Sequence, residues 1–158
     1  MISQLRGVVV QAGATSVVLD LNGFGVKALC TPSTAAGVRL GEVVELHTSL
    51  NVREDALTLY AFTTPTERDA FELVQTSSGV GPKLAQAIVS VLSPPDLVQA
   101  ITTENLARLC AVPGIGRKGA QKLVIELKDK VLALGVETRP STTVAGDEQW
   151  REQVSSGL

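Results

Sequence analysis

Histidine occurs once in this 158-residue chain, at His47, so a site built from several histidine ligands is excluded. A Ser-His-Asp triad would have to use that one residue, which instead reads as a strand position. The two cysteines, Cys30 and Cys110, lie eighty positions apart among apolar neighbours, which suits reduced, buried thiols better than a disulfide or a zinc site. No uninterrupted apolar run approaches the roughly 20 residues of a membrane span. The opening Met1-Ile2-Ser3-Gln4-Leu5-Arg6 lacks the basic, apolar and small-residue succession of a secretory leader. These absences point to a soluble, cytoplasmic protein with no metal or cofactor and no membrane partner.

An excess of basic residues is missing too: the formal net charge is −2, which by itself argues against a nucleic-acid partner. The average conceals a distribution. Residues 1–62 carry four Lys/Arg against five Asp/Glu, residues 63–135 eight against seven, and residues 136–158 two against four. Only the middle part is net positive.

The chain changes character near Thr63. Before it, segments 5–10, 16–21, 25–29, 43–50 and 56–62 are rich in Val, Leu and Thr and separated by turn residues, which predicts five strands. Gly13-Ala14 and Asn22-Gly23 supply the first turns, and the longer 31–37 connection has room for a helical turn. Five strands with a long link before the fourth fit an OB-fold barrel over residues 1–62. After it, Thr64-Pro65-Thr66-Glu67 reads as a capping box with proline at the first helical position. Helices are expected over 66–76, 82–92, 94–101, 103–110 and 117–134, making residues 63–135 an all-α domain. Residues 136–146 have almost no large apolar side chains and read as a linker. Residues 147–158 begin amphipathically but are too few for an independent domain, so they read as a truncated C-terminal helical segment.

An internal repeat carries the most information. Gly79-Val80-Gly81-Pro82-Lys83-Leu84-Ala85-Gln86 recurs thirty-five positions later as Gly114-Ile115-Gly116-Arg117-Lys118-Gly119-Ala120-Gln121, with five of eight positions identical. Each copy sits between two expected helices, so the glycines allow a tight reversal and Val80 or Ile115 plugs the core: a helix-hairpin-helix. Such a turn leaves backbone N–H groups at a helix N-terminus, where the dipole favours an anion such as phosphate. Lys83, Arg117, Lys118 and Lys122 add positive charge in the first turns. Backbone contacts of this kind carry no base-sequence information.

Two nucleotide motifs compete for the same residues. Gly114-Ile115-Gly116-Arg117-Lys118-Gly119 satisfies G-x-G-x-x-G, but it follows a helix rather than a strand and has a second copy upstream, so it is not a dinucleotide fingerprint. A P-loop would need Lys and then Ser or Thr after Gly119, where Ala120 and Gln121 stand. No ATP site is expected. Two helical hairpins packed only for stability are the plainer alternative, since glycine is common where helices end. Duplication, with an apolar plug and following cations in both copies, favours phosphate binding. Between the fourth and fifth strands, Arg53-Glu54-Asp55-Ala56 places two acids at a hairpin tip. On residue chemistry alone this is a solvated turn.

Leu5-Arg6-Gly7, the run from Val52 to Phe62 with its Arg53-Glu54-Asp55-Ala56 turn, Gly79-Val80-Gly81-Pro82-Lys83 and Pro113-Gly114-Ile115-Gly116-Arg117-Lys118 together resemble the RuvA family. That family comprises the Holliday-junction-binding subunits of bacterial branch migration, and the resemblance runs from Met1 to about Leu134. It implies a non-catalytic subunit acting in recombination and repair. It further implies an OB-fold followed by a double helix-hairpin-helix, in tetramers or stacked octamers whose basic face receives a four-way junction. Gly79, Val80, Gly81, Lys83, Gly114, Ile115, Gly116, Arg117, Lys118 and Lys122 would grip DNA backbones. The resemblance turns Glu54 and Asp55 into an acidic pin that repels phosphates at the crossover. A RuvB-type hexameric ATPase and a RuvC-type resolvase are the implied partners. Residues 147–158 resemble only the first helix of the motor-binding domain, which puts coupling to the ATPase in doubt.

Overall fold

Asn22 and Gly23 both take positive φ, 56° and 93°, and the Gly23 N–H donates to Asp20 Oδ1 at 2.6 Å. A two-residue turn of this hand matches the twist of the strands it joins, so Leu21 faces Phe24 and the second and third strands are held in register. The computed structural model describes residues 2–137 and builds five strands: β1 (Gln4–Ala12), β2 (Ser16–Leu21), β3 (Phe24–Cys30), β4 (Val43–Val52) and β5 (Leu57–Phe62). They close in the order β1-β2-β3-β5-β4, with β4 returning to pair with β1. This is the expected OB-like barrel. The long link before β4 folds as α1 (Pro32–Gly37), with Thr31 Oγ1 accepting from the Thr34 N–H at 3.3 Å and Pro32 at the first helical position. His47 lies in β4, opposite Gln4 and Phe62.

Alternate residues of each strand point inward, so Val9, Val17, Leu19, Ala28, Cys30, Leu46, Leu59 and Ala61 form the barrel core. Burial pushes the Cys30 thiol up to about 11. Cys110 departs from the expectation of burial: it is half-exposed at the end of a short helix, packed against the helical core on one side.

From Leu59 on, β5 is unusual in being covered on both faces. Leu59 and Ala61 belong to the barrel core, while Tyr60 and Phe62 belong to the core of the helical part. There Phe71 of α2 (Pro65–Val74) lies against both rings, with centroids 4.9 Å apart in each pair. A polar tie reinforces the joint: Arg68 of α2 donates to the Ser3 carbonyl at 2.8 Å. That carbonyl also accepts from the Thr48 N–H at 2.9 Å.

The helical part continues through α3 (Pro82–Val91), α4 (Pro94–Thr102), α5 (Leu106–Cys110) and α6 (Arg117–Glu137). Three details differ from the sequence reading. The Glu67 side chain does not close a capping box on Thr64, whose hydroxyl caps the Glu67 N–H at 3.2 Å; the Glu67 carboxylate instead accepts from Thr63 Oγ1 at 3.1 Å. The helix expected from 103 starts only at Leu106, because Glu104 takes a left-handed φ of 55° and Asn105 caps the Arg108 N–H at 3.2 Å. Finally, α6 runs to Glu137, past 134 and into the stretch read as linker. The rest of that linker and the expected terminal segment, residues 138–158, lie outside the described residues. Among the described residues no single helix is long and apolar enough to cross a membrane.

Because Phe71 seals the joint between the two cores, Phe71→Ala is expected to destabilise the fold by about 3–5 kcal/mol. Barrel and helices should then still unfold together, which urea titrations followed by both far-ultraviolet dichroism and Tyr60 fluorescence will check. In the native protein Cys30 should resist thiol reagents that label Cys110, and become reactive only on unfolding.

Candidate nucleic-acid interface

The two copies of the repeat fold alike down to individual hydrogen bonds. Gly79 and Gly114 take φ of 84° and 93°, a conformation that costs a residue with a Cβ about 1–2 kcal/mol. The Val80 N–H donates to the Ser77 carbonyl at 3.2 Å, and the Ile115 N–H to the Val112 carbonyl at 3.1 Å. Gly81 and Gly116 then cap the following helices, their carbonyls accepting from Ala85 and Ala120, both at 2.9 Å. Gly81 has an ordinary φ of −90°, so only the first glycine of its pair is needed for conformation.

These bonds refine the sequence reading, which left all the turn N–H groups open to a phosphate. Those of Val80 and Ile115 are used internally. The amides of Gly79, Gly81 and Lys83 in one hairpin, and of Gly114, Gly116, Arg117 and Lys118 in the other, have no partner among the described residues. All these residues are exposed, as is Lys122. None of Lys83, Arg117, Lys118 and Lys122 enters an ion pair among the described residues. Ile115 is buried and Val80 half-buried, as apolar plugs should be.

The hairpins pack against each other with a broken symmetry. Leu84 and Gly119 occupy the same position of the repeat. Leu84 reaches the opposite turn so closely that a Cβ added to Gly114 would lie 3.2 Å from its Cδ1. Gly119 has no side chain to return the contact, and among the described residues nothing lies within 4 Å of a Cβ added to Gly79. The space left is a cleft of about 240 Å³ that gathers Gly79, Val80, Gly114, Ile115 and Lys122 with Ser77 and Ser78.

Sequence reasoning missed the polar contacts at the mouth of this cleft. Glu126 of α6 accepts from Ser77 Oγ, from the Ser78 N–H at 2.9 Å and from Ser78 Oγ at 2.9 Å. Hydrogen bonds from Ser77 and then Ser78 hold its carboxyl below the usual carboxylate range, with nearby Lys122 acting in the same direction. One signal was available: the second copy has Val112-Pro113 where the first has Ser77-Ser78, so the first turn carries hydroxyls that need partners.

Glu54 and Asp55 lie apart from the cleft, at the tip between β4 and β5. The Arg53 N–H donates to the Ala56 carbonyl at 2.8 Å, leaving the two acids as the turn itself, both exposed. Among the described residues no group of three or more His, Cys, Asp or Glu converges as a metal site.

A five-stranded barrel followed by paired glycine hairpins defines a two-part protein with a helix-hairpin-helix tandem, and family comparison agrees. Residues 1–61 match the RuvA N terminal domain, and residues 71–129 match the SAM-like helix-hairpin-helix tandem. The chain is 58% identical over 161 residues to the Holliday junction branch migration complex subunit RuvA of Cutibacterium acnes, covering all of this chain and 79% of that protein. It is 48% identical over 161 residues to the protein of the same name from Thermobifida fusca, covering all of this chain and 80% of that protein. The counterpart from Acidothermus cellulolyticus is 49% identical over 159 residues, with 100% of this chain and 78% of that protein covered. The chain belongs to the RuvA family.

Since Gly79 is open in space but left-handed in backbone, Gly79→Ala should cost about 1–2 kcal/mol through conformation alone. Gly81→Ala, with ordinary φ and nothing within 4 Å, should cost less; chemical denaturation of the two variants will separate them.

Proposed function

We propose that this chain binds four-way DNA junctions as a homotetramer, gripping phosphate backbones with both hairpins while the acidic turn shapes the crossover. One observation carries the reading: two hairpins with the same internal bonding each present glycine N–H groups, beside exposed cations, that have no partner among the described residues. Each hairpin offers an anion a helix N-terminus together with side-chain charge. Membership of the RuvA family supplies the ligand, since the relatives named above are subunits of a Holliday junction branch migration complex.

In this reading Lys83 serves the first hairpin and Arg117, Lys118 and Lys122 the second, around the amides of Gly79, Gly81, Gly114 and Gly116. Val80 and Ile115 act as plugs that hold the turns rather than as donors. A grip confined to backbones suits a junction that migrates through arbitrary sequence, because it resists no particular base pair. Glu54 and Asp55, repeated around a four-fold axis, would repel phosphates at the centre and keep strands apart. Barrel, hairpins and turn do no bond-making chemistry; the protein is a DNA-recognition subunit for a RuvB-type hexameric ATPase, acting beside a RuvC-type resolvase. By family resemblance the ATPase contact belongs to residues beyond 147, outside the described residues. Two tetramers stacked on one junction are an extension of the same grip.

Gel-shift titration of a synthetic four-way junction against linear duplex of equal length, at two salt concentrations, tests the proposal. Junction preference that weakens with salt is expected, and equal or absent binding to the two DNAs would overturn it. Lys118→Gln should weaken binding irrespective of sequence and reduce the slope of log affinity against log salt by about 1. Glu54→Gln with Asp55→Asn should leave binding intact or tighter while strand separation at the crossover, read by 2-aminopurine fluorescence, declines; complete loss of binding would count against the pin.

A further inference from the structure

The first hairpin turn is held differently from the second. At matching positions of the repeat, Ser77-Ser78 faces Val112-Pro113, and Glu126 corresponds to Val91. The second turn is secured by apolar burial of Val112 and by the fixed φ of Pro113. The first has neither; Ser77 is buried with a hydroxyl that needs a partner, and Ser78 is exposed.

Both serines find their partner in one carboxylate from the other hairpin. Glu126 stands nine residues into α6 and lies 49 and 48 positions from Ser77 and Ser78, so its three accepted bonds tie the first turn to the second hairpin's outgoing helix. A second contact runs the same way, from Lys130 Nζ to Thr76 Oγ1 at 3.1 Å. Gly79, immediately after Ser78, is the residue whose left-handed backbone aims the amides that follow. Among the described residues nothing lies within 4 Å of a Cβ built on Gly79, so the turn's polar ties to α6 are the Glu126 carboxylate at Ser77 and Ser78 and Lys130 at Thr76.

We propose that Glu126 is a positioning residue for DNA binding: it clamps Ser77 and Ser78 so that the amides of Gly79 and Gly81 stand in fixed register with those of Gly114 and Gly116. The idea rests on the backbone-grip reading above. It makes a prediction opposite in sign to simple electrostatics. An acid close to a phosphate-binding turn repels DNA, so its removal should tighten binding if charge were its only effect. Removal of a clamp instead loosens one of two grips and weakens binding.

The experiment measures affinity for a four-way junction and for linear duplex across Glu126→Ala, Glu126→Gln, the pair Ser77→Ala/Ser78→Ala, and the triple combination. Glu126→Ala should bind about tenfold more weakly, the scale expected when charge-assisted hydrogen bonds are lost. Glu126→Gln, which keeps an acceptor for the Ser78 amide and removes the charge, should recover binding to within about twofold of the unaltered chain or exceed it. The serine pair should weaken binding severalfold, and the triple variant should be no weaker than Glu126→Ala, since all act on one contact. Should Glu126→Ala prove unfolded by circular dichroism, the serine pair, which leaves α6 intact, carries the decision. Tighter or unchanged binding of folded Glu126→Ala, or additive losses in the triple variant, overturns the clamp alone. If the unaltered chain fails to bind either DNA, the grip reading falls and the clamp with it.

Discussion

The structure depends on a strand whose second half has no outer face. In most small barrels alternate residues of a strand look to solvent, but β5 turns Leu59 and Ala61 into the barrel and Tyr60 and Phe62 into the helices. The chain's single Tyr and two of its three Phe, Phe62 of β5 and Phe71 of α2, meet at this joint. Large aromatic side chains carry most burial per residue, so a chain poor in aromatics has concentrated them where two cores must be made one. Barrel and helices are therefore joined by packing, and Arg68 on the Ser3 carbonyl adds direction to what packing supplies in energy.

Repetition explains the helical part only up to a point. The two hairpins share their hydrogen bonds, their left-handed glycines and their capping carbonyls, and then diverge in what supports them. Leu84 crosses to Gly114, while Gly119 opens a cleft in place of the reciprocal contact. A buried valine and a proline brace one turn, and serines bonded to a carboxylate brace the other. Apolar bracing is insensitive to its electrostatic surroundings, whereas a carboxylate clamp carries a charge into a region that otherwise presents amides and cations.

Much of this was legible in the residues. Period-two patterning and Asn-Gly chemistry marked the barrel strands, and the duplicated Gly-apolar-Gly segment marked both hairpins because a turn of fixed geometry admits few residues. The break before α5 was half written in Asn105, a residue suited to capping, but the left-handed Glu104 is not announced by its side chain, and helix propensity on either side hid the break. The two faces of β5 could not be separated by pattern, since a strand buried on both sides shows no alternation. Internal use of the Val80 and Ile115 amides follows from turn geometry rather than composition. Glu126 was out of reach because its partners are 48 and 49 positions away, and nothing in a helix sequence distinguishes an acid facing solvent from one facing another turn.

The two-faced strand has one further consequence. The tip bearing Glu54 and Asp55 lies beyond one end of β5, and Phe62, locked into the helical core, stands at the other, with about 17 Å of strand between. Lengthening β4 and β5 by a single residue each at the tip end would carry the tip outward and leave Leu59 to Phe62 in their two cores, but turn the acids to the opposite face of the ribbon. Only paired additions, each moving the tip by about 7 Å, keep the acids on the same face. For a given facing of the acids the reach of the tip is thus quantised, and its tuning within a step is left to the turn itself.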